Sequence, residues 1–304
     1  VDTSEIQKIL SLEPKRLVES TWLKHLPFGY WITANQKPEM IVELGVYTGA
    51  SFSIFCQSIK ENHLKTKVFG VDTFQGDEHA GFFTDEVYNN INNHVNKNYS
   101  EFASLMRMTF DEALVYFSDG SIDLLHIDGL HTYEAVQHDF ESWLPKMKNN
   151  GIVIFHDTMV RTNNFGVWKL WEEIRNNHYQ TFEFHYGCGL GVLFLGESEF
   201  SKRFMIPEDS DVISFVFEKA GERIQSFYSS LEAEQAKAEA QQAKAEAQQA
   251  KAEAQQAKAE AQQAKAETVA VRKSRSFRFG FYALHPWRLP GDLWRRGKNG
   301  KEKG

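Results

Sequence analysis

Short apolar runs alternate with helix-period stretches over the first three quarters of the chain, a pattern that predicts a largely parallel α/β sheet. The runs Ile41–Val46, Val68–Asp72, Ile122–Asp128 and Ile152–His156 read as strands. A last pair, Phe182–Tyr186 and Gly191–Leu195, flanks a Gly-rich turn and reads as a hairpin. Helical spacing fills the gaps at Ser51–Lys60, Asp111–Phe117, Thr132–Met147 and Val167–Asn176. The segment before Lys37 is mostly helical in pattern, with Trp22 and Trp31 as packing residues. These changes of pattern divide the chain into a helical segment over 1–36, a sheet domain over 37–229, a repeat over 230–271 and a tail over 272–304.

The repeat is the heptad AKAEAQQ, which occurs four times without variation between Ala236 and Gln263. Ala236, Ala240, Ala243, Ala247 and Ala250 recur at alternating steps of four and three, which makes an alanine coiled-coil seam. With Ala236 at d and Ala240 at a, Lys falls at every e and Glu at every g. In a parallel pair Glu239 then meets Lys244 of a second chain, so the repeat predicts a homo-oligomer. The competing reading is a lone solvated helix, because alanine buries little area.

Composition narrows the picture. The chain has 304 residues, 42% apolar and 13% aromatic, which supplies a sizeable core and excludes wholesale disorder. Two cysteines, Cys56 and Cys188, exclude a disulfide scaffold and suit a reducing, cytoplasmic compartment. No apolar run approaches the ~20 residues of a membrane span. The chain opens on Val, without the basic start and apolar stretch of a secretory leader, as a trimmed or excised chain would. The net charge is −7, but residues 268–304 hold ten Lys and Arg against Asp292 and Glu302, a net +8, so the remainder carries −15. An acidic body argues against nucleic acid as a partner. In the tail, basic residues interleave with Phe277, Phe279, Phe281, Tyr282, Trp287 and Trp294. That mixture suits an anionic membrane surface or a glycan-assembly partner, and so peripheral attachment at the inner membrane.

Candidate chemistry starts at the first strand, where Ile41–Ser51 reads IVELGVYTGAS. A strand closing near Glu43 and a turn with glycines at 45 and 49 lead into a helix whose first N–H groups are unpaired. The next strand, VFGVDTF, ends in Asp72, placed to bind ribose hydroxyls. The GxxxG spacing, in place of GxGxxG, favours S-adenosylmethionine over a dinucleotide. Farther on, strand ends carry Asp128 with His131 just beyond it, and His156 with Asp157. Carboxyl ends of adjacent parallel strands line one crevice, so these four should converge.

From Lys37 to Gly196 the chain resembles class I S-adenosylmethionine-dependent methyltransferases, and VELGVYTGAS is similar to the first motif of catechol O-methyltransferase. VDTFQGDEHAG, LLHIDGLHTYEAVQHDFESWLP and GIVIFHD resemble a bacterial family associated with sugar and polysaccharide modification. Macrocin O-methyltransferase and cephalosporin-hydroxylase-like proteins are its relatives. The resemblance implies a Rossmann-like sheet with an antiparallel last strand, followed here by the long coiled-coil helix. It implies S-adenosylmethionine held by Glu43, Gly45, Tyr47, Gly49, Ser51 and Asp72, with adenine near Thr109–Asp111. It implies a divalent metal, Mg or Mn, on Asp128, His156 and Asp157. His156 departs from the all-oxygen set that Mg prefers, since imidazole suits Mn, Fe or Zn. His131 stands where the catechol enzyme has a catalytic lysine, so a neutral imidazole there would take the acceptor proton beside Asp128.

Other features read more plainly. Asp77, Glu78 and His79 lie in a polar loop within reach of acceptor or cofactor. Glu134 and His138 read as a surface pair, His126 as a core residue, and Trp168 and Trp171 as helix packing. The expected function is O-methyl transfer to a sugar hydroxyl of a glycan or glycolipid. The alternatives are methylation of a small non-sugar acceptor, or a non-catalytic cofactor-binding scaffold that measures length in polysaccharide assembly.

Overall fold

A computed structural model describes residues 3–162, 164–177 and 179–285. Residues 286–304 of the basic tail, Trp287 and Trp294 among them, lie outside the described residues.

The chain opens with α1 (Thr3–Leu10), a 3-10 turn at Thr21–His25 and α2 (Leu26–Gln36). Then come β1 (Met40–Leu44), α3 (Ala50–Glu61) and β2 (Lys67–Asp72). A small two-stranded arm, β3 (Gly76–Asp77) with β4 (Gly81–Phe82), precedes α4 (Asp85–Asn98) and β5 (Ala103–Arg107). Next are α5 (Phe110–Ala113), β6 (Ile122–Ile127), α6 (Tyr133–Trp143) and β7 (Met147–His156). The domain closes with α7 (Val167–Asn176), β8 (Gln180–Phe184), β9 (Leu190–Phe194) and α8 (Glu199–Met205). Last come α9 (Pro207–Lys273) and α10 (Arg275–Leu284).

Seven strands form one sheet in the order β5-β2-β1-β6-β7-β9-β8. The first five are mutually parallel, whereas β9 runs antiparallel to both β7 and β8. This is a Rossmann-like, mostly parallel sheet with an antiparallel insertion. The order reverses between β1 and β6, so the ligand crevice of such a sheet opens at the carboxyl ends of those two strands.

The sheet is buried on both faces, as crossover helices require. Ile41, Val68, Leu124 and Ile154 face one core with Trp22, Phe28, Trp31 and α3. Val42, Leu44, Leu125 and Val153 face the other with Phe140, Trp143 and Trp171. The period of two between these sets is the strand pleat itself. Phe28, Phe184 and Phe217 interlock edge to face, Phe28 and Phe184 at 4.7 Å between centroids. The start of α9 thereby belongs to the sheet's core through Ile213, Phe217, Ala220 and Ile224.

Several boundaries differ from expectation for local reasons. β1 stops at Leu44 because Gly45 has φ +89° and turns the chain. The helix expected through Met147 ends at Trp143, since Pro145 has no N–H to continue it, and a 3-10 turn follows at Leu144–Lys146. The helix expected from Asp111 starts at Phe110 behind a Thr109–Glu112 capping box. α9 runs unbroken from Pro207 through the repeat to Lys273. The chain forms two compact units, Val1–Leu231 and Glu232–Gly304. No helix among the described residues is long and apolar enough to cross a membrane.

Phe184 is fully buried between both aromatic neighbours. Phe184→Ala should therefore cost about 3–5 kcal/mol, read as a lower urea midpoint with unchanged slope.

Candidate active site

The turn after β1 is shaped by two glycines and one carboxylate. A Cβ at Gly45 would collide with the backbone carbonyl of Asp128, so only glycine lets the ends of β1 and β6 close together. Gly49, at φ +80°, caps α3, and a Cβ there would strike Ile91. Between them Tyr47 adopts φ +50°, a conformation that a non-glycine residue holds only when its surroundings enforce it. Asp72 supplies the enforcement. Its Oδ2 accepts the N–H groups of Val46 (2.8 Å) and Tyr47 (2.9 Å), and its Oδ1 accepts that of Phe74 (2.6 Å). The residue expected to bind ribose thus first clamps the turn. The Tyr47 ring stacks on Phe83 at 4.6 Å.

Glu43 and Ser51 point inward. Glu43 is fully buried, and its Oε1 accepts the Ser51 hydroxyl. His126 Nδ1 lies 3.2 Å from the same oxygen, while Trp22 Nε1 donates to His126 Nε2 at 3.1 Å. Because Nε2 accepts from the indole, the His126 proton must sit on Nδ1 and donate to Glu43. Burial raises the Glu43 pKa against the pull of His126 and Ser51. His126 is accordingly internal, as its mid-strand position predicts. Toward a ligand this motif presents the backbone of 45–49 and the first N–H groups of α3.

The four strand-end residues do converge. Asp128 follows β6, and its N–H donates to the Leu44 carbonyl at 2.8 Å. His131 Nε2 lies 2.8 Å from Asp157 Oδ2 and 3.4 Å from Asp128 Oδ1. His156 Nδ1 approaches the same two oxygens at 3.1 and 3.3 Å from the buried side. Asp157 holds φ +61°, a strained setting that turns its carboxylate into the cluster. Ligating atoms of Asp128, His131 and Asp157 lie within 4.8 Å of one another, a set able to hold a metal ion. His131 therefore joins Asp128 and Asp157 as a candidate ligand, where Asp128, His156 and Asp157 were expected.

Electrostatics follow from that geometry. Burial disfavours both imidazolium ions, but the two carboxylates outweigh it. His131 is held up at about 9, and His156 well above its usual value. The same contacts overcome desolvation and hold Asp128 and Asp157 below the usual carboxylate range. His25 lies edge-on to His156 at 5.6 Å, and burial followed by the His156 charge drives its pKa far down. The geometry thus favours the charged forms of His131 and His156 beside the two carboxylates, and the uncharged form of His25.

On the crevice side His131 stacks on Phe165 at 4.5 Å with an interplanar angle of 11°. His79, from the arm, stands 5.7 Å from His131 and 4.7 Å from Phe165. Trp168 Nε1 donates to the Phe165 carbonyl at 3.0 Å and anchors that loop, while Trp171 packs in the core. Phe165 was not foreseen, since one Phe in a polar loop carries no periodic signal. Near Thr109–Asp111, His138 pairs with Asp111 at 2.8 Å in place of Glu134. Asp139, beneath Gly129, is pushed by burial to about 7.

Residues 42–158 match the model of a methyltransferase domain family. A curated relative, an uncharacterized protein (y4gI) of Sinorhizobium fredii, is 47% identical over 178 residues. The match covers 59% of this chain and 19% of the relative, so the chain spans about a fifth of that relative's length. Among solved structures, a Staphylococcus aureus protein assigned as a caffeoyl-CoA O-methyltransferase aligns with 60% of this chain and 86% of its own, at 15% identity and TM-score 0.46. The SAH-bound methyltransferase PaMTH1 of Podospora anserina aligns with 64% of this chain and 89% of its own, at 11% identity and TM-score 0.45.

The raised His131 pKa has a definite sign. Folding gains stability from its proton, fully at pH below the ordinary value of 6.5, and loses that gain as pH rises to about 9. In chelator-treated protein, NMR titration of His131 should give a midpoint near 9, and Asp157→Asn should move it down toward 6.5.

Proposed function

We propose that this chain is an S-adenosylmethionine-dependent O-methyltransferase acting on a sugar hydroxyl of a glycan or glycolipid. The observation that carries the reading is the pairing of His131 with Asp128 and Asp157 at the carboxyl ends of β6 and β7, beside the Gly45–Gly49 turn. One crevice then offers a backbone cradle on one side and a proton-accepting group on the other.

When bound, the cofactor supplies a sulfonium methyl; the acceptor oxygen forms the new C–O bond as the C–S bond breaks, leaving S-adenosylhomocysteine. The chain's own groups position the two reactants, hold charge and take up the hydroxyl proton. With no ion bound, His131 is the base once its own proton has left, so its capacity as a base grows as pH rises toward about 9. The imidazolium it becomes is stabilised by Asp157 at 2.8 Å and Asp128 at 3.4 Å. Stacking on Phe165 fixes the ring plane and screens it from water.

The donor set suits a divalent cation. Two carboxylates, Asp157 buried and Asp128 half-buried, can be balanced by two imidazolium protons or by one dication. Asp128, His131 and Asp157 would hold the ion, with His156 behind the carboxylates. Mixed oxygen and nitrogen donors favour Mn over Mg. A bound dication would lower the pKa of the acceptor hydroxyl.

A sugar acceptor is supported by the Phe165 and His79 rings beside the base, 4.7 Å apart and tilted by 30°. Apolar faces of pyranose rings stack on such surfaces, whose burial is favourable.

The test is calorimetric titration with S-adenosylmethionine and S-adenosylhomocysteine, with and without EDTA, followed by turnover on sugar acceptors. Both ligands should bind in the micromolar range, whereas Asp128→Ala should bind them and lose turnover by at least ~100-fold. Absence of binding by either ligand would overturn the enzyme reading. Full activity of Asp128→Ala would remove the strand-end cluster from the chemistry.

A further inference from the structure

The repeat carries charges that its own helix does not pair. Residues 231–273 lie within α9 and are exposed throughout. Side chains on a helix meet their neighbours three or four residues away, not two or five. Lys244 has Glu246 two residues ahead and Glu239 five behind, with Ala or Gln at every step of three or four. Lys251 and Lys258 repeat that setting. Among the described residues no ion pair involves a lysine of the repeat. The glutamates bind a glutamine four residues earlier, as in Gln242 to Glu246 at 2.9 Å and Gln249 to Glu253 at 2.9 Å. Each of these bonds uses Oε1 and leaves Oε2 for another donor.

We propose that α9 pairs with a second copy of this chain as a parallel two-stranded coiled coil, through the Ala236–Ala264 seam. The charge pattern selects both the partner and the direction. In a parallel pair Glu239, Glu246, Glu253 and Glu260 meet the partner's Lys244, the partner's Lys251, the partner's Lys258 and the partner's Lys265. In an antiparallel pair the same spacing sets Glu against Glu and Lys against Lys. Alanine at both a and d lets the two helices approach closely, while contributing little buried area per layer. The assembly therefore depends on its charges and weakens with salt.

The test is sedimentation equilibrium of the full chain at low salt, with circular dichroism to verify that helix content is retained. Twice the chain mass of 35.0 kDa is expected. A variant with Lys244→Glu, Lys251→Glu, Lys258→Glu and Lys265→Glu should be monomeric. So should one with Glu239→Lys, Glu246→Lys, Glu253→Lys and Glu260→Lys. Mixing the two should restore the doubled mass. In a parallel pair Ala236→Cys should form an intermolecular disulfide that the unsubstituted chain does not form. A monomeric unsubstituted chain, charge variants that still self-associate with helix intact, or an Ala236→Cys dimer that does not oxidise would each overturn the proposal.

Discussion

Two carboxylates in one small space set the terms for the rest of the domain. Asp128 and Asp157 bring oxygens within 4.8 Å of each other at the ends of adjacent strands, largely out of water. Like charges at that range cannot both stay ionised without compensation. His131 supplies it from the crevice side and His156 from the buried side. The fold accepts strain to keep this arrangement. Asp157 is held at positive φ, and Gly45 gives up a side chain so that Asp128 can sit against the end of β1. Such a cluster is an expensive way to stabilise a domain, because removing one partner strands a buried charge.

A second polar network beneath the first ties the ligand turn to the core. Glu43 and His126 are register partners on β1 and β6, so their side chains leave the sheet side by side. Ser51 reaches Glu43 from α3, and Trp22 reaches His126 from the N-terminal segment. Four separate pieces of chain are thus joined in one buried network around Glu43 and His126. Displacing Trp22 would remove the acceptor's only indole donor and free the His126 tautomer, which Glu43 would feel next. The helical segment before β1 is therefore part of the scaffold of the site and not an appendage to it.

The sequence alone revealed the strands that end in the polar cluster or the glycine turn and hid those that do not. β1, β2, β6 and β7 are short apolar runs closing on Gly, Asp or His, so period and punctuation both mark them. β5 and α4 escaped notice. β5 is an edge strand with Ala103 as its only buried residue, and α4 buries only Ile91 and Val95 among asparagines. The convergence of Asp128, His131, His156 and Asp157 was legible because parallel strands bring their carboxyl ends together. Which histidine faces the crevice was not legible, because it depends on side-chain direction at the strand's last residue. Glu43, Ser51 and Asp72 show the same limit. Position in a motif identified them, yet their side chains serve the fold before any ligand.

The repeat poses the opposite problem, for its identical heptads carry no register. Sliding one helix past its partner by seven residues leaves every remaining Glu–Lys meeting intact and loses only one layer at each end. Charge can therefore choose orientation but not alignment. Alignment must come from a residue that breaks the pattern within the seam. Continuing the frame past Ala264 places Thr268 at a and Val271 at d, and Val271 is 58% exposed on its own helix. It is the first apolar side chain beyond the repeat that is larger than alanine and lies on the seam. In the proposed parallel pair it would pack in register against the partner's Val271, whereas a slip of one heptad would set it against the partner's Ala264 and open a void. A uniform alanine seam thus needs one larger residue near its end to select a single alignment, and Val271 stands where that residue has to be.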